Sequence, residues 1–600
     1  MATTKKVPVR NAVRTEDTWD LAPLFKSDAA WERAYKRLEK RIAGLVQFRG
    51  TLGTSAKTLR ACFDFQVAFE KDAEKLGSYA MLKSSEDVAN PAYQGMIARY
   101  VHLATLANEA ASFMAPEIRM IPKKTMAAFL KARVLKPFRF QLENLLRYKP
   151  HILSLKEERI MAMQGEVAGS ADKIFGQLND ADLTFGSVKN ERGESVELTQ
   201  GSFRSLLESP KRRVRKQAFD KFYGEYEAHA NTLAATLSSS VLQDVYQARV
   251  RNYPSALEAA LFADNVPPAV YENLIDTVHA NLDAVHHYLE VRRKALGIKD
   301  IHMYDTYVPM VQQRRARTPY PKAVAMVCDA LAPLGAAYCR TLETGLRGRW
   351  VDRYENQGKR SGAFSAGGYH GPPYILMNYK DDVIDNVFTL AHEAGHSMHT
   401  YFSARTQPFQ DYHYSIFVAE VASTFNEQLL NRYLLERAKN KKTRAFLLNR
   451  EIDEIRGTLV RQTMFAEFEK IIHAIAEAGE PLTIDRVRGE YRELLEHYFG
   501  PAFAIDEALS LEGLRIPHFY SAFYVYKYAT GLSAAIALSE QVMRGGAKER
   551  DRYLAFLKSG GSDYPLNLLR RAGVDMEQPE PVAVAMQRFK HLVEEFESLL

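Results

Sequence analysis

The stretch His392-Glu393-Ala394-Gly395-His396 decides how the rest of the chain is interpreted. Two histidines stand four residues apart, and a glutamate follows the first. On an α-helix, positions i and i+4 lie on the same face, so both imidazoles can reach one metal ion. Glu393 is rotated by about 100° from His392 around the helix axis, where its carboxylate can face a water on that ion. The stretch therefore predicts a helix that carries a metal site.

This H-E-x-x-H spacing is typical of zinc metallopeptidases, in which the histidines bind zinc and the glutamate acts as general base. An apolar side and acidic capping residues support a helix here. The apolar side comprises Val387, Leu390, Ala391, Ala394 and Met398, and the acidic residues are Asp381, Asp382 and Asp385. A catalytic zinc usually has three protein ligands and one open position, so a third ligand is required.

The third ligand is not decided by the motif itself. His399 lies at i+7 from His392, but one straight helix rarely wraps three ligands around one ion. The metzincin class requires Gly at position 399 and His at 402, and this chain has His399 and Phe402, which excludes that class.

A carboxylate on a second predicted helix, residues 415–430, is the better candidate for the third ligand. Glu420 and Glu427 fall on one face of that helix, about 10 Å apart along its axis, so both cannot bind one ion. We expect one of them to be the ligand and the other to orient a ligand histidine. Glu420 has apolar neighbours in sequence, and a carboxylate in such surroundings needs a strong partner.

Residues 358–380 interrupt the helical pattern with five glycines and two prolines. Within this segment, residues 374–377 read as one short strand directly before the metal helix. A strand edge beside a metal site can pair with an extended peptide backbone, and an ordinary buried strand fits the pattern equally well.

A second cluster lies far downstream, at residues 517–528. Pro517 can start a helix, on which Tyr520, Tyr524 and Tyr528 would share one face, with His518 at the helix entry. Hydroxyl and imidazole donors can stabilise the oxyanion that forms when a peptide bond is attacked. A tyrosine-rich packing face is the alternative interpretation.

Helical periodicity dominates the remaining chain and predicts a mainly α fold. Trp31, Tyr35 and Leu38 repeat at helical spacing after the capping residue Ser27. Short β-like runs at 183–185 and 196–198 flank a polar turn and predict a hairpin. We place a domain boundary there, so that residues 1–185 form an N-terminal helical domain and residues 186–600 the catalytic domain.

The bulk composition, with 46% hydrophobic and 26% charged residues, indicates a globular protein. The net charge of +7 is small for 600 residues and does not indicate nucleic-acid binding, and we interpret the basic stretch 211–216 as a solvated helix face. Three cysteines without a C-x-x-C pair imply neither a disulfide framework nor a thiolate zinc site. Because the chain shows no secretory signal and no apolar run near 18 residues, we expect a cytoplasmic protein with no membrane span.

Five blocks of sequence resemble oligoendopeptidase F, a bacterial member of the thimet-oligopeptidase-like zinc metallopeptidases. The blocks are residues 358–364, 373–379, 388–399, 417–424 and 515–520. The likeness spans nearly the whole chain, and five blocks in the right order are more specific than the H-E-x-x-H motif alone.

The resemblance implies a two-lobed, mainly helical metallopeptidase with a deep substrate channel and a small β element near the zinc helix. It implies one Zn²⁺ per chain. The implied zinc ligands are His392, His396 and Glu420, and the implied catalytic base is Glu393. The implied transition-state donors are His518 and a nearby tyrosine. The spacing from the histidine to the tyrosines differs from the thimet branch, so Tyr520, Tyr524 and Tyr526 are all candidates, of which we favour Tyr524 and Tyr520. The implied substrate contacts are Gly367, Gly368, Tyr369 and His370.

The predicted activity is zinc-dependent cleavage of internal bonds in short peptides through a metal-activated water. A zinc carboxypeptidase or dipeptidyl carboxypeptidase shares this chemistry, but it needs a fixed group for a substrate terminus, for which His413 and Arg515 are the candidates. A non-catalytic peptide-binding scaffold is the alternative outside enzymes. The sequence leaves the oligomeric state open.

Overall fold

The computed structural model describes residues 6–311 and 317–600. The expectation that the chain has no secretory signal rests partly on the first five residues, which lie outside the described ranges. The fold is mainly helical, as predicted. The first helices are α1 (Asp28–Arg41), α2 (Ala43–Val46), α3 (Ala56–Glu86), α4 (Pro91–Ala111), α5 (Met114–Met120), α6 (Lys123–Lys131), α7 (Arg139–Arg147), α8 (Leu155–Ala168) and α9 (Ser170–Gln177).

The remaining elements complete the chain. The middle helices are α10 (Gln200–Leu207), α11 (Arg212–Ala228), α12 (Ala230–Val250), α13 (Ala256–Phe262), α14 (Pro268–His279), α15 (Leu282–Ala295), α16 (Tyr320–Ala330) and α17 (Ala336–Arg347). The last helices are α18 (Asp385–Thr406), α19 (Ile416–Glu436), α20 (Lys441–Ile455), α21 (Arg461–Glu477), α22 (Ile484–Phe499), α23 (Tyr526–Gly545), α24 (Ala547–Leu557), α25 (Pro565–Ala572) and α26 (Glu580–Leu599). The strands are β1 (Ser187–Lys189), β2 (Ser195–Glu197), β3 (Val351–Asp352), β4 (Phe364–Ala366) and β5 (Tyr374–Leu376). Across the described ranges, none of these helices has the length and hydropathy needed to cross a bilayer.

The chain divides into two compact units, each assembled from three segments. The first unit comprises Met1–Lys149, Arg315–Tyr433 and Leu538–Gly573, and the second comprises Pro150–Arg314, Leu434–Ala537 and Val574–Leu600. The predicted boundary between residues 185 and 186 lies within the second unit. Units of this kind arise when distant segments pack together, which local composition does not reveal. The division into 1–185 and 186–600 therefore stays a prediction.

The core of the first unit joins its N-terminal helices to a small sheet. Ser27 caps α1, because its Oγ accepts a backbone N–H of the first turn at 3.3 Å. The buried Trp31 donates its indole N–H to the carbonyl of Leu76 on α3 at 2.9 Å. Tyr374 and Leu376 of β5 belong to the same hydrophobic cluster. The predicted stripe on α1 is thus a packing face that reaches the strand preceding the metal helix.

The small sheet has the strand order β3-β5-β4. β5 pairs in parallel with β3 and antiparallel with β4, with Ser365 of β4 opposite Ile375 of β5. The strand predicted at 374–377 is therefore present as β5. It is the central strand, however, so the idea that it offers a free edge to a peptide is wrong. Its hydrogen-bonding groups are already paired on both sides, and β4 forms the edge.

A buried lysine holds the ends of this sheet together. Nζ of Lys359 donates to the carbonyl oxygens of Asp352 at 3.1 Å, Tyr354 at 2.7 Å and Met377 at 2.6 Å. The carboxylate of Asp352 lies 2.7 Å from the same nitrogen. The ammonium group thereby ties the loop before β4 to β3 and to the residue that follows β5.

The second unit contains a hairpin at the predicted place, with β1 and β2 antiparallel and Val188 opposite Val196. The strand predicted at 183–185 is wrong, however, because β1 begins only at Ser187, directly before the polar turn. The basic stretch 211–216 opens α11. Arg212 and Arg215 bind the carboxylate of Asp305 at 2.8 and 2.7 Å. Arg215 is only 2% exposed, so the interpretation of this stretch as a solvated face is wrong for that residue. A buried carboxylate at this point requires a cationic partner, and the arginines supply it.

We expect Lys359→Met to destabilise the first unit by about 3 kcal/mol, because it leaves three carbonyl groups and a carboxylate buried with fewer partners. Thermal unfolding followed by circular dichroism should show a lower apparent Tm. Lys380→Met is the matched control, since Lys380 is exposed just beyond the sheet. Equal Tm values for the two variants would contradict this role of Lys359.

Candidate metal centre

Two helices of the first unit bring three potential metal ligands together. His392 and His396 lie one turn apart on α18, with their Nε2 atoms 3.2 Å apart. Oε2 of Glu420 on α19 lies 3.4 Å from Nε2 of His392 and 3.5 Å from Nε2 of His396. Within residues 6–311 and 317–600, this is the group of His, Cys, Asp and Glu side chains whose donor atoms could share one ion.

The triangle of donor atoms fits a tetrahedral zinc ion. Zinc binds nitrogen and carboxylate oxygen at about 2.0–2.2 Å, and a tetrahedron with such bonds has edges of about 3.3–3.6 Å. The observed separations of 3.2, 3.4 and 3.5 Å are close to these edges. Two imidazoles and one carboxylate are also the donor set of catalytic zinc sites that keep a fourth position open.

Glu427 contacts the other side of the His392 ring. Its Oε1 lies 2.7 Å from Nδ1 of His392, which leaves the lone pair of Nε2 directed at the donor triangle when Nδ1 carries the proton. Burial lowers the pKa of His392, but the hydrogen bond to Glu427 and the charges of Glu427, Glu393 and Glu420 raise it to about 9. The surroundings of this ring therefore favour positive charge, as a cation site requires.

Glu420 is held as a carboxylate. Burial raises the pKa of Glu420. Other contacts outweigh burial and lower this pKa to about 2: a hydrogen bond with His396, the positive charges of His396 and His392, and a hydrogen bond from Ser423. The Ser423 hydroxyl donates to Oε2 of Glu420 at 2.9 Å. The side chain that follows the H-E-x-x-H motif by 24 residues is thus ionised and oriented towards both histidines.

Gly395, inside the motif, allows α19 to approach α18 closely. A Cβ added to Gly395 would lie 2.4 Å from the carbonyl oxygen of Ala422 and 2.6 Å from Cα of Ser423. Both distances are far below any real contact, and both neighbours are backbone atoms that cannot rotate away. Asn426 adds a hydrogen bond across the same crossing, from Nδ2 to the carbonyl of Ala391 at 3.0 Å.

Glu393, the predicted base, is 7% exposed on α18. Burial is the largest influence on the pKa of Glu393 and raises it. The charges of both histidines and a hydrogen bond from the backbone N–H of Ser365 lower this pKa, and the charge of Glu420 raises it, so that the net pKa is raised. Ser365 belongs to the edge strand β4, and its hydroxyl lies 2.8 Å from that of Ser397 on α18. The edge of the sheet is thereby fixed next to the predicted base.

His399 is separate from the donor triangle. Its ring stacks on Tyr414 at 3.6 Å between ring centroids, and burial lowers its pKa to about 3. A neutral, stacked histidine of this kind is a packing residue. Among the described residues, it does not join the group that could share an ion.

The predicted substrate segment, residues 367–370, lies in the first unit between β4 and β5. Its backbone is held by Glu74 of α3, whose Oε1 accepts the N–H of Tyr369 at 2.7 Å. The Tyr412 hydroxyl donates to the other oxygen of Glu74. A Cβ added to Gly368 would lie 2.9 Å from Oε1 of Glu74, so the Glu74 carboxylate would have to shift to make room. A Cβ added to Gly367 would lie 2.5 Å from the methyl carbon of Thr400. The ring of His370 lies 5.6 Å from that of Tyr369.

The downstream cluster lies in the second unit and differs from its prediction. A short 3₁₀ helix (Pro517–Tyr520) and a turn with Phe523 at φ +56° precede α23, so no continuous helix carries the three tyrosines. Tyr520 points elsewhere: its hydroxyl lies 2.9 Å from that of Thr236, and its ring stacks on Phe175. The prediction that the three tyrosines share one helical face is therefore wrong, because the left-handed backbone conformation at Phe523 interrupts the helix.

His518 and Tyr524 remain together in spite of this break. Their rings are nearly parallel, 10° apart in orientation with centroids 6.2 Å apart. Tyr528 packs edge-on against both rings, at 6.1 and 5.4 Å. Tyr526, which lies between Tyr524 and Tyr528 in sequence, is fully buried against Tyr271. Of the tyrosines considered, Tyr524 is the one whose ring is aligned with His518.

The two groups suggested for a substrate terminus have other partners. Arg515 is held by Glu512 at 3.0 Å and by the Tyr223 hydroxyl at 3.2 Å, and its guanidinium lies over the ring of Phe222. His413 is exposed and lies 3.5 Å from Glu74. Arg515 is thus already paired within its own unit.

Sequence reasoning missed Glu74 and the structural role of Gly395. Glu74 lies in a long helical pattern about 300 residues before the segment it holds, and nothing in its neighbourhood marks it. Gly395 could have been noted, since a glycine in a helix interior costs about 1 kcal/mol relative to alanine and usually marks a close approach.

We expect Gly395→Ala to lower metal affinity at least about tenfold, because the added methyl group must push α19 and its Glu420 away from the histidines. Metal content after dialysis, measured by mass spectrometry of the ion, tests this. Gly95→Ala on α4 is the matched control, since an added Cβ there meets open space. Normal metal affinity in Gly395→Ala would contradict the close-approach argument.

The chain is similar to known peptidases over most of its length. Residues 205–588 match the sequence profile described as peptidase family M3, and residues 117–185 match the N-terminal profile described as oligopeptidase F. Oligopeptidase PepF of Bacillus subtilis is 44% identical over the whole chain and 90% of that protein. Group B oligopeptidase PepB of Streptococcus agalactiae is 38% identical over 98% of both chains.

Solved structures extend the likeness to the fold. In the crystal structure of oligoendopeptidase F from Enterococcus faecium, the chain is 34% identical in sequence to this one and superposes with a TM-score of 0.74. The superposition covers 95% of this chain and 99% of that one. A candidate peptidase from Chlamydophila abortus is 35% identical with a TM-score of 0.94, over 99% of this chain and 100% of that one. The chain therefore belongs to peptidase family M3 and, within it, to the oligoendopeptidase F group of metallo-endopeptidases that act on short peptides.

Proposed function

We propose that this member of the family uses one Zn²⁺ per chain, held by His392, His396 and Glu420, to hydrolyse internal bonds of short peptides. The observation that carries the proposal is the donor triangle with edges of 3.2–3.5 Å, which fits a tetrahedral ion. Glu427 would fix the ring of His392 through Nδ1 and thereby orient its Nε2.

Glu393 is the proposed general base. A bound zinc ion would supply Lewis acidity, which lowers the pKa of a water and polarises the scissile carbonyl. The Glu393 carboxylate accepts the proton of the attacking water and passes it to the leaving amine. Its burial raises its pKa, which helps the carboxyl group to hold the proton between the two transfers.

Tyr524 and His518 are the proposed donors to the oxyanion. The phenol O–H and the imidazole N–H are suitable donors, and their rings are held nearly parallel. Tyr520 was an equal candidate from the sequence, but its hydroxyl is engaged with Thr236. This difference favours Tyr524.

The segment Gly367, Gly368, Tyr369 and His370 is the proposed contact for the substrate backbone, supported by its position after the edge strand β4. The exopeptidase alternatives are not favoured, because Arg515 is already paired with Glu512 and the relatives are oligoendopeptidases. We further propose a cytoplasmic location. We also propose that the protein has no nucleic-acid partner, since Arg212 and Arg215 of the basic stretch already bind Asp305.

We expect Glu393→Gln to lower kcat by about 10²–10⁴-fold, since a carboxamide cannot accept the proton of the attacking water. The zinc content should stay normal, because Glu393 is not one of the proposed zinc ligands. Cleavage of a fluorogenic peptide blocked at both ends gives the rate, and elemental analysis gives the zinc content. Glu420→Ala is the comparison variant and should lose zinc as well as activity. Near-normal turnover in Glu393→Gln, or full zinc in Glu420→Ala, would overturn these assignments.

We expect Tyr524→Phe to lower kcat by about 10²-fold with unchanged zinc content, because one hydrogen bond to the oxyanion is lost. Tyr520→Phe is the matched control and should change kcat by less than about threefold. A larger loss of kcat in Tyr520→Phe than in Tyr524→Phe would contradict this assignment and would make Tyr520 the donor to the oxyanion.

A further inference from the structure

The turn before α23 contains a backbone conformation that its sequence does not favour. Phe523, immediately before Tyr524, has φ +56°, in the left-handed region that favours glycine. Tyr524 lies at the junction of this turn with α23, since its carbonyl accepts the N–H of Lys527 at 3.2 Å. A change of φ at Phe523 would therefore rotate the Tyr524 side chain away from His518.

Three contacts hold Phe523 in this conformation. Its ring is 2% exposed and packs against His473 and Tyr271, with centroids 4.5 and 5.9 Å apart. Its backbone N–H donates to Oε1 of Glu469 on α21 at 2.9 Å. The ring and the N–H point to different partners, so together they fix the backbone torsion between them.

Glu469 has no part in the chemistry described above, although it is fully buried. Its second oxygen, Oε2, has no hydrogen-bond partner among the residues the structure describes. Burial raises the pKa of Glu469 well above its ordinary value, so the neutral acid is favoured. A neutral carboxyl group can be replaced by a carboxamide without losing the oxygen that accepts the Phe523 N–H.

We infer that Glu469 is a positioning residue, whose hydrogen bond to the Phe523 N–H holds the turn 521–525 so that the Tyr524 ring stays aligned with His518. The inference rests on the proposed role of Tyr524. Strained backbone at a functional position persists only where its surroundings fix it, and here Glu469 supplies a direct hydrogen bond to the strained residue.

The test compares Glu469→Met, which removes the acceptor at similar volume, with Glu469→Gln, which keeps it. Glu467→Met is the matched control on the same helix, because Glu467 accepts from the Tyr498 hydroxyl and contacts His279 rather than the turn. The zinc-loaded full chain is used throughout. Two readouts are taken: steady-state kinetics on a blocked peptide, and hydrogen exchange of the segment 517–528.

Glu469→Met should lower kcat by about 10–100-fold with KM changed less than about threefold, and should speed exchange of the Phe523 amide at least about tenfold. Glu469→Gln and Glu467→Met should leave kcat and exchange of this segment near wild type. In a Tyr524→Phe background, Glu469→Met should cause little further loss, because the residue it positions is already disabled.

Unchanged amide exchange in Glu469→Met would overturn the inference, as would an equal loss of kcat in the Tyr524→Phe background. A loss in Glu469→Gln as large as in Glu469→Met would also overturn it. Full activity of Tyr524→Phe alone would instead overturn the proposed role of Tyr524. The exchange measurement separates these failures, since it reports on the Glu469 hydrogen bond without reference to catalysis.

Discussion

The close crossing of α18 and α19 at Gly395 is the constraint on which the metal centre depends. The backbone of α19 passes so near that even one methyl group on Gly395 would meet the carbonyl of Ala422 at 2.4 Å. Only at this separation can Glu420 reach both histidines and Glu427 reach the far side of His392. The H-E-x-x-H motif sets the spacing of its histidines along one helix, whereas the position of the proposed third ligand, Glu420, depends on how closely a second helix can pack. Gly395 therefore contributes to the site without contributing a donor atom.

The charge balance of the centre follows from the same crossing. Three glutamates face two imidazoles within the first unit, and all five side chains are at least partly buried. Grouping carboxylates in this way is unfavourable unless a cation is shared among them. The raised pKa of His392 reports this negative surrounding. A cation bound at the proposed site would relieve the repulsion that the packing imposes, so that metal binding would stabilise the α18–α19 pair.

Local periodicity predicted the features that depend on one element. It located the metal helix, the strand β5, the stripe on α1 and the second helix with Glu420 and Glu427. It failed for the tyrosine cluster, because spacing of i, i+4 and i+8 assumes a continuous helix. The break at Phe523 is fixed by Glu469, 54 residues earlier, and by rings from other helices. The hold of Glu74 on the segment 367–370 was invisible for the same reason: it is a tertiary contact with no local signal.

Buried glutamates in this protein differ in what they can do because their partners differ. Glu420 meets two histidines and a serine hydroxyl, which lower its pKa and keep it an ionised donor for a cation. At Glu393 burial raises the pKa more than the charges of the same histidines lower it, and this net rise suits the proposed role of a base that takes up and releases a proton. Glu469 accepts one backbone N–H and is driven towards the neutral acid, which suits a fixed hydrogen-bonding group. The residue type alone carries none of this division; it arises from which cations and donors the packing brings to each carboxyl group.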